Sequence, residues 1–178
     1  MQIDDLPGEL ILWILIVSEV LVFAAGLSAM VVMGLRDPAG FAAAQAQLDG
    51  RMATLNTVVL VTSGLFAARA ERDAAANRRA RARLNLALAA LGGVIFLTLK
   101  GLEYARDIRA GLGMDGQPFF TFYYLLTGFH AAHVIAGVAV LGLVAIRARP
   151  APVQTGATFW HMVDLVWVLI LPFIYLIW

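Results

Sequence analysis

The sequence predicts an all-α, polytopic membrane bundle of five transmembrane helices. Three observations carry that prediction. The 178 residues are 61% hydrophobic and only 14% charged, whereas soluble domains are nearer half apolar and a quarter charged. Mean hydropathy is +0.82, too apolar for folding around one water-exposed surface. The apolar residues also gather in five runs, each long enough for the roughly 17–25 residues that a helix needs to cross a bilayer. These runs and their connections fill residues 1–178 as a single membrane domain, with no room for a soluble one.

The first run covers about 10–35 and carries one ionisable residue, Glu19. It does not read as a cleaved signal peptide, because Asp4, Asp5 and Glu9 precede it where a basic n-region belongs, and it exceeds the usual apolar core. A polar or small segment follows, with Arg36, Asp37, Pro38, Asp49, Gly50 and Arg51. The second run, 52–68, has no charge. Residues 69–83 are the most charged stretch, six arginines against Glu71 and Asp73. The third run, 84–104, turns polar at Lys100 and Glu103, with Arg106 and Asp107 just beyond. A Gly-rich turn at 111–118 ends it. The fourth, 119–146, is closed by Arg147, Arg149, Pro150 and Pro152, and the fifth is 157–178.

Orientation follows from lysine and arginine, which collect in cytoplasmic loops. With the N-terminus inside, the inner segments hold Arg69, Arg72, Arg78, Arg79, Arg81, Arg83, Arg147 and Arg149. The outer segments hold Arg36, Arg51, Lys100, Arg106 and Arg109. Eight against five predicts a cytoplasmic N-terminus and a periplasmic C-terminus. The odd number of spans disfavours a two-fold repeat transporter. A net charge of +1 argues against a nucleic-acid partner. The absence of cysteine excludes a disulfide framework, a thiolate metal site and a Cys nucleophile. No phosphate loop, nucleophile–base set or HExxH motif is present.

Ionisable residues inside a bilayer are costly and face protein or water. Here they are Glu19, Lys100, Glu103, His130, His133, His161 and Asp164. A helical rise of about 1.5 Å per residue places Glu19 roughly 15 Å and Asp164 about 10 Å in from the cytoplasmic side, with His133 near the middle. Glu19 reads either as a protonatable site or as a carboxyl hydrogen-bonded to a neighbouring helix. Lys100, Glu103 and Tyr104 approach the outer interface, where long side chains snorkel, and read as a structural pairing there. His130 and His133 share a helical face beside a small-residue ridge, Gly128, Ala132 and Ala136, which favours helix packing. Ligation of one iron by two imidazoles would require His161, offset by more than about 10 Å, so no metal site is expected. His161 and Asp164 pair on one face, with Trp160 and Trp167 beside them as candidate lipid or partner contacts. The arginine-rich loop reads as a topology determinant, and Arg78, Arg79 and Arg81 as candidate contacts to anionic lipid or a partner.

The residues also resemble a known family, subunit III of haem-copper oxidases. Four blocks carry the resemblance: LPGELILWILIVSEVLVF at 6–23, LKGLEYARDI at 99–108, TGFHAAHVIAG at 127–137, and FWHMVDLVWVLILPFIY at 159–175. In them Glu19 matches the family's intramembrane carboxylate, Glu103 and Tyr104 its G-x-E-Y pattern, His130 and His133 its T-G-x-H-x-x-H-V block, and His161 and Asp164 its W-H-x-x-D block. Mitochondrial-type members have seven spans; this chain reads as lacking the first two and the cleft wall they form. The short N-terminus and compact loops are more similar to the five-span subunit-III-like protein associated with nitric oxide reductase. The resemblance implies a non-catalytic accessory subunit in a bacterial inner membrane, beside a haem-bearing catalytic subunit. It implies no cofactor on this chain, with haem and metal on the partner and phospholipid as a candidate ligand. Assembly, stability, lipid binding or proton supply through Glu19 would be its work. Two other readings of the intramembrane residues are a small proton-coupled transporter using Glu19, His133 and Asp164, and a b-type cytochrome with two axial histidines.

Overall fold

A computed structural model describes residues 10–178, so the Leu6–Glu9 opening of the first family block lies outside the described residues, as do Asp4 and Asp5. The described residues form six helices and no strand: α1 Leu10–Arg36, α2 Pro38–Gln45, α3 Gly50–Ala75, α4 Arg79–Arg109, α5 Pro118–Arg147 and α6 Pro150–Tyr175. All but α2 are long and apolar enough to cross a membrane. The helices outrun the apolar runs at their polar ends, because backbone hydrogen bonding continues through Arg79–Arg83 and Arg106–Arg109 once the helix is nucleated.

Local chemistry explains the breaks. Asp37 caps α2 by accepting the Gly40 N–H at 2.9 Å, with Pro38 at the first helical position. Asp49 caps α3 by accepting the N–H groups of Arg51 and Met52. The α4–α5 connection turns at Gly111, whose φ of +80° lies in the region glycine adopts without strain. Pro118 and Pro150 open α5 and α6. The short α2, inside a segment that reads as a loop, is the one element the hydropathy pattern does not predict.

Each inward stripe follows the 3–4 spacing of a helical face. On α4 it runs Ala82, Leu86, Ala89, Gly93, Phe96, Lys100, Glu103 and Asp107. Helices α3 and α4 form the closest pair, and α6 packs on α1, α3 and α5. Trp160 is fully buried at the centre of this packing. Its ring lies over Gly93 of α4 and Gly137 of α5, where an added Cβ would overlap it. Its Nε1–H donates to Ser63 Oγ at 3.0 Å, and Ser63 donates to the Ala89 carbonyl at 2.6 Å. The C-terminal residues close the opposite corner. Trp178 stacks edge-on to Phe41 and covers Gly34, while Gln45 Nε2 donates to the Ile174 carbonyl. Helix α1 is peripheral and leaves most of its surface outward.

Two packing expectations need correction. Trp160 and Trp167 are wholly buried, so neither is a lipid or partner contact in this fold. Glycines on facing helices leave a slot for one indole, and Phe96, His130 and the Thr57 hydroxyl surround the other. The ridge of Gly128, Ala132 and Ala136 turns partly outward, with Ala132 and Ala136 exposed, while His130 of the same helix points in.

Candidate functional site

The intramembrane polar residues separate into three groups. The largest is centred on Lys100, which does not snorkel as expected but lies 2% exposed inside the bundle, as does Glu103. Both fall on the same stripe as Leu86 and Phe96, so the helix turns them inward whatever their polarity. Lys100 Nζ donates to Glu103 Oε1 at 3.1 Å, Tyr123 Oη at 3.2 Å and Tyr175 Oη at 2.8 Å. It also lies within 6 Å of the ring centroids of Tyr104, Tyr123, Trp167 and Tyr175, a cage that attracts a cation through its ring faces. Tyr175 donates to Glu103 Oε1 at 2.6 Å, and Tyr123 Oη lies 2.8 Å from Glu103 Oε1 and 3.1 Å from Asp107 Oδ2. Glu103 Oε2 is buried with no partner. Tyr104 instead bonds the Thr127 hydroxyl on α5.

This group reaches the molecular surface at one edge. Arg106, about half exposed, touches Asp107 Oδ1 at 3.3 Å and donates to Asp49 Oδ2 at 2.8 Å. The Arg106 hydrogen bond, followed by the Met52 N–H, holds the Asp49 carboxyl below its ordinary value. Lys100, Asp107, Tyr123, Tyr175, Arg106 and Asp49 therefore form one site with Glu103, where the sequence reading stopped at a Lys100–Glu103–Tyr104 pairing. The signal was available: the 3–4 stripe through Phe96 continues to Lys100, Glu103 and Asp107.

The second group joins α1 to α5. His133 Nε2 lies 3.1 Å from Glu19 Oε2, with the two side chains 15% and 22% exposed. The contact is close but poorly aligned, and Glu19 Oε2 has no well-directed hydrogen bond. His133 Nδ1 is 2.9 Å from the Phe129 carbonyl, which only accepts, so that nitrogen carries the ring proton and Nε2 faces the carboxyl. Between Glu19 and His133 there is accordingly one place for a shared proton. Three residues away, His130 has no exposure and no partner for either ring nitrogen. It is packed among Phe23, Phe96 and Trp167, and its ring is closed to any outside ligand.

The third group is His161 and Asp164. His161 Nδ1 and Asp164 Oδ2 are 3.8 Å apart, beyond hydrogen-bond range, and Asp164 Oδ1 is buried without a partner. Asp164 lies against Gly64 of α3, where a Cβ would overlap its carboxylate. The expected mutual satisfaction of this pair is therefore incomplete: His161 leans outward, 43% exposed, while Asp164 is drawn into the glycine notch. The arginine-rich connection is exposed at Arg78, Arg79 and Arg81. Arg78 is tied to Asp73 at 2.8 Å, and Asp73 also accepts from Asn85. Among the described residues, no three His, Asp or Glu side chains converge as a metal site.

Comparison with known proteins gives this arrangement its family. Residues 8–178 match the family described as cytochrome c oxidase subunit III. The chain belongs to that family. It is 32% identical over 129 residues to cytochrome c oxidase subunit 3 of Prototheca wickerhamii, covering 68% of this chain and 48% of that protein. It is 30% identical to the subunit 3 of Corynebacterium diphtheriae, covering 92% of this chain and 85% of the other. It is 28% identical to a protein of Aeropyrum pernix named heme-copper oxidase subunit I+III, covering 93% of this chain and 22% of that longer protein. The chain thus spans about half the length of the algal relative and most of the bacterial one. As a subunit III family member it is a multi-pass helical membrane protein, and the matched residues 8–178 include all three polar groups.

Proposed function

We propose that the chain is a non-catalytic accessory subunit of a respiratory haem-copper oxidase or nitric oxide reductase. The observation that carries this reading is the family match over 8–178, on a fold with five helices able to span a membrane. Its partner is a haem-bearing catalytic membrane subunit. The Aeropyrum relative, whose name joins I and III, supports that pairing. Haem and metal reside on the partner, and the complex sits in a bacterial inner membrane with the N-terminus cytoplasmic. The compact loops favour the form associated with nitric oxide reductase, whereas the names of the relatives favour an oxidase.

Within such a complex the chain supports assembly and holds lipid. Two grooves support the lipid role. One of about 460 Å³ between α1 and α6 is lined by Ala24, Leu27, Ser28, Val31, Leu169 and Phe173. The other, of about 450 Å³ and bordered by Arg147 and Arg149, lies where α5 meets α6. Glu19 with His133 supplies or buffers protons, since a partly exposed carboxyl and an imidazole share one proton position.

The deciding experiment extracts a tagged copy from native membranes in mild detergent and identifies what co-purifies by mass spectrometry. Recovery of a large haem-bearing subunit is expected, and its identity separates oxidase from nitric oxide reductase. Recovery of the chain alone would overturn the accessory reading and favour a free-standing proton-coupled transporter. Glu19→Ala is expected to leave that co-purification intact while lowering turnover or its durability. Unchanged turnover through prolonged cycling would remove the proton role.

A further inference from the structure

Six of the intramembrane ionisable residues are drawn toward the bundle or toward one another. Lys100 and Glu103 are caged, His130 is enclosed, Glu19 and His133 face each other, and Asp164 fills the notch at Gly64. His161 is the exception and the most exposed of them. Its Nδ1 stands too far from Asp164 Oδ2 to bond, so its hydrogen-bonding capacity is directed outward. Hydrocarbon supplies neither donor nor acceptor, and ionisable residues on spanning helices therefore face protein or water.

The surroundings of His161 have the shape of a helix seat. A Cβ added to Gly64 of α3 would overlap Asp164 Oδ2 and lie 3.6 Å from His161 Nδ1, so the polar pair sits directly on the seam between α3 and α6. Leu165 and Val168 follow His161 at four and seven residues and share its face. Val61 precedes Gly64 by three on α3. All three are apolar and about half exposed. A glycine, a polar centre and apolar flanks are the elements with which membrane helices meet: the small residue admits a close approach, and a polar side chain bonds across the contact. Leu165 and Val168 lie farther along α6 than His161, away from Pro150, so a segment lying on the membrane surface would leave them uncovered. A spanning helix would cover them.

We propose that the α3–α6 seam around Gly64 and His161 is the face that docks the membrane partner, through a spanning helix that offers a neutral polar side chain such as Ser, Thr, Asn or Gln to His161. This rests on the accessory-subunit reading and adds the face and the chemistry of the contact. The outward surfaces of α4 and α5 carry no such polar centre and are left to lipid.

The test is photocrosslinking in native membranes. A benzophenone amino acid is placed in turn at Val61 and Leu165 on the seam, and at Leu91 of α4 and Leu125 of α5 as exposed positions on other faces. After irradiation the tagged chain is purified and its adducts are identified by mass spectrometry. Val61 and Leu165 are expected to crosslink to the haem-bearing subunit, and Leu91 and Leu125 are not. His161→Phe, which keeps a ring but loses its nitrogens, should lower recovery of the partner about threefold, the effect of one interhelical polar contact. His161→Gln should restore it, and the thermal midpoint of the purified chain should be unchanged in both variants. Recovery of the haem-bearing subunit with crosslinks from Leu91 or Leu125, with only lipid or a second copy of this chain attached at the seam, or with full recovery in His161→Phe overturns the proposal and leaves the accessory reading standing. Failure to recover any haem-bearing subunit overturns both.

Discussion

The Glu19–His133 pair and the Lys100 array place similar chemistry, a carboxyl beside a base, inside membrane-spanning helices, yet the fold treats them in opposite ways. Glu19 and His133 bridge the peripheral α1 to α5, remain partly exposed and make one misaligned contact. Lys100 and Glu103 lie on the innermost stripe of α4, nearly inaccessible, with tyrosines from α5 and α6 closing on them. The difference teaches that sidedness on the helix, more than depth in the bilayer, decides whether an intramembrane charge becomes a structural node or stays free to exchange. A charge on the inward stripe must be satisfied by neighbouring helices or the bundle does not close. One at the periphery can turn to lipid headgroups, water or a partner.

The comparison breaks most readily at Lys100. Lys100→Ala leaves Glu103 buried and unpaired, and thermal unfolding in nanodiscs should show a loss of about 3–5 kcal/mol, the usual cost of removing one partner of a buried pair. Replacing both, as Lys100→Met with Glu103→Leu, should restore most of that loss, since apolar substitutes of similar size often match a buried pair. A double variant as unstable as the single one would show that the cage needs its charges to fold. Tyr175→Phe is the next largest. It removes a hydroxyl bonded to both Lys100 and Glu103, so stability should fall by about 1.5–3 kcal/mol, the range for hydrogen bonds to charged groups.

Glu19→Gln should alter stability by only about 0.6 kcal/mol, typical of one interhelical polar contact in a membrane. A loss as large as that of Lys100→Ala would erase the contrast between the two groups. The smallest effect belongs to Asp49. Its carboxyl is held below the ordinary 3.8 by Arg106, so its contribution is present above that value and fades as pH falls through the lower native one. Being exposed, the ion pair should contribute less than about 1 kcal/mol and weaken with salt. Asp49→Asn should flatten the acid limb of a stability–pH curve by lowering neutral stability by that same small amount, with acid stability unchanged.

Much of this was legible in the residues. Five apolar runs predict five spanning helices because backbone groups in a bilayer have no alternative to helical or barrel hydrogen bonding. The turns at Pro38, Asp49, Gly111, Pro118 and Pro150 follow from local capping chemistry. The α4 stripe was also present in the sequence: extending the 3–4 spacing of Leu86, Ala89, Gly93 and Phe96 leads to Lys100, Glu103 and Asp107, against the expectation that a lysine near a helix end snorkels. The eight-residue α2 was not legible, since a short Ala-rich helix has neither the length nor the apolarity of a span.

What the sequence by itself determined is the set of periods: which runs span, which residues share a face, and which family motifs they form. Those properties depend on neighbours within one or two helical turns, so they can be read along the chain. Only the tertiary structure decided which face turns inward and what meets it. Glu19 finds His133 across α1 and α5, Tyr175 reaches Lys100 from the far end of the chain, and Trp160 sinks into notches left by Gly93 and Gly137. Such partners are set by how whole helices pack, and packing depends on the summed shape of surfaces far apart in sequence.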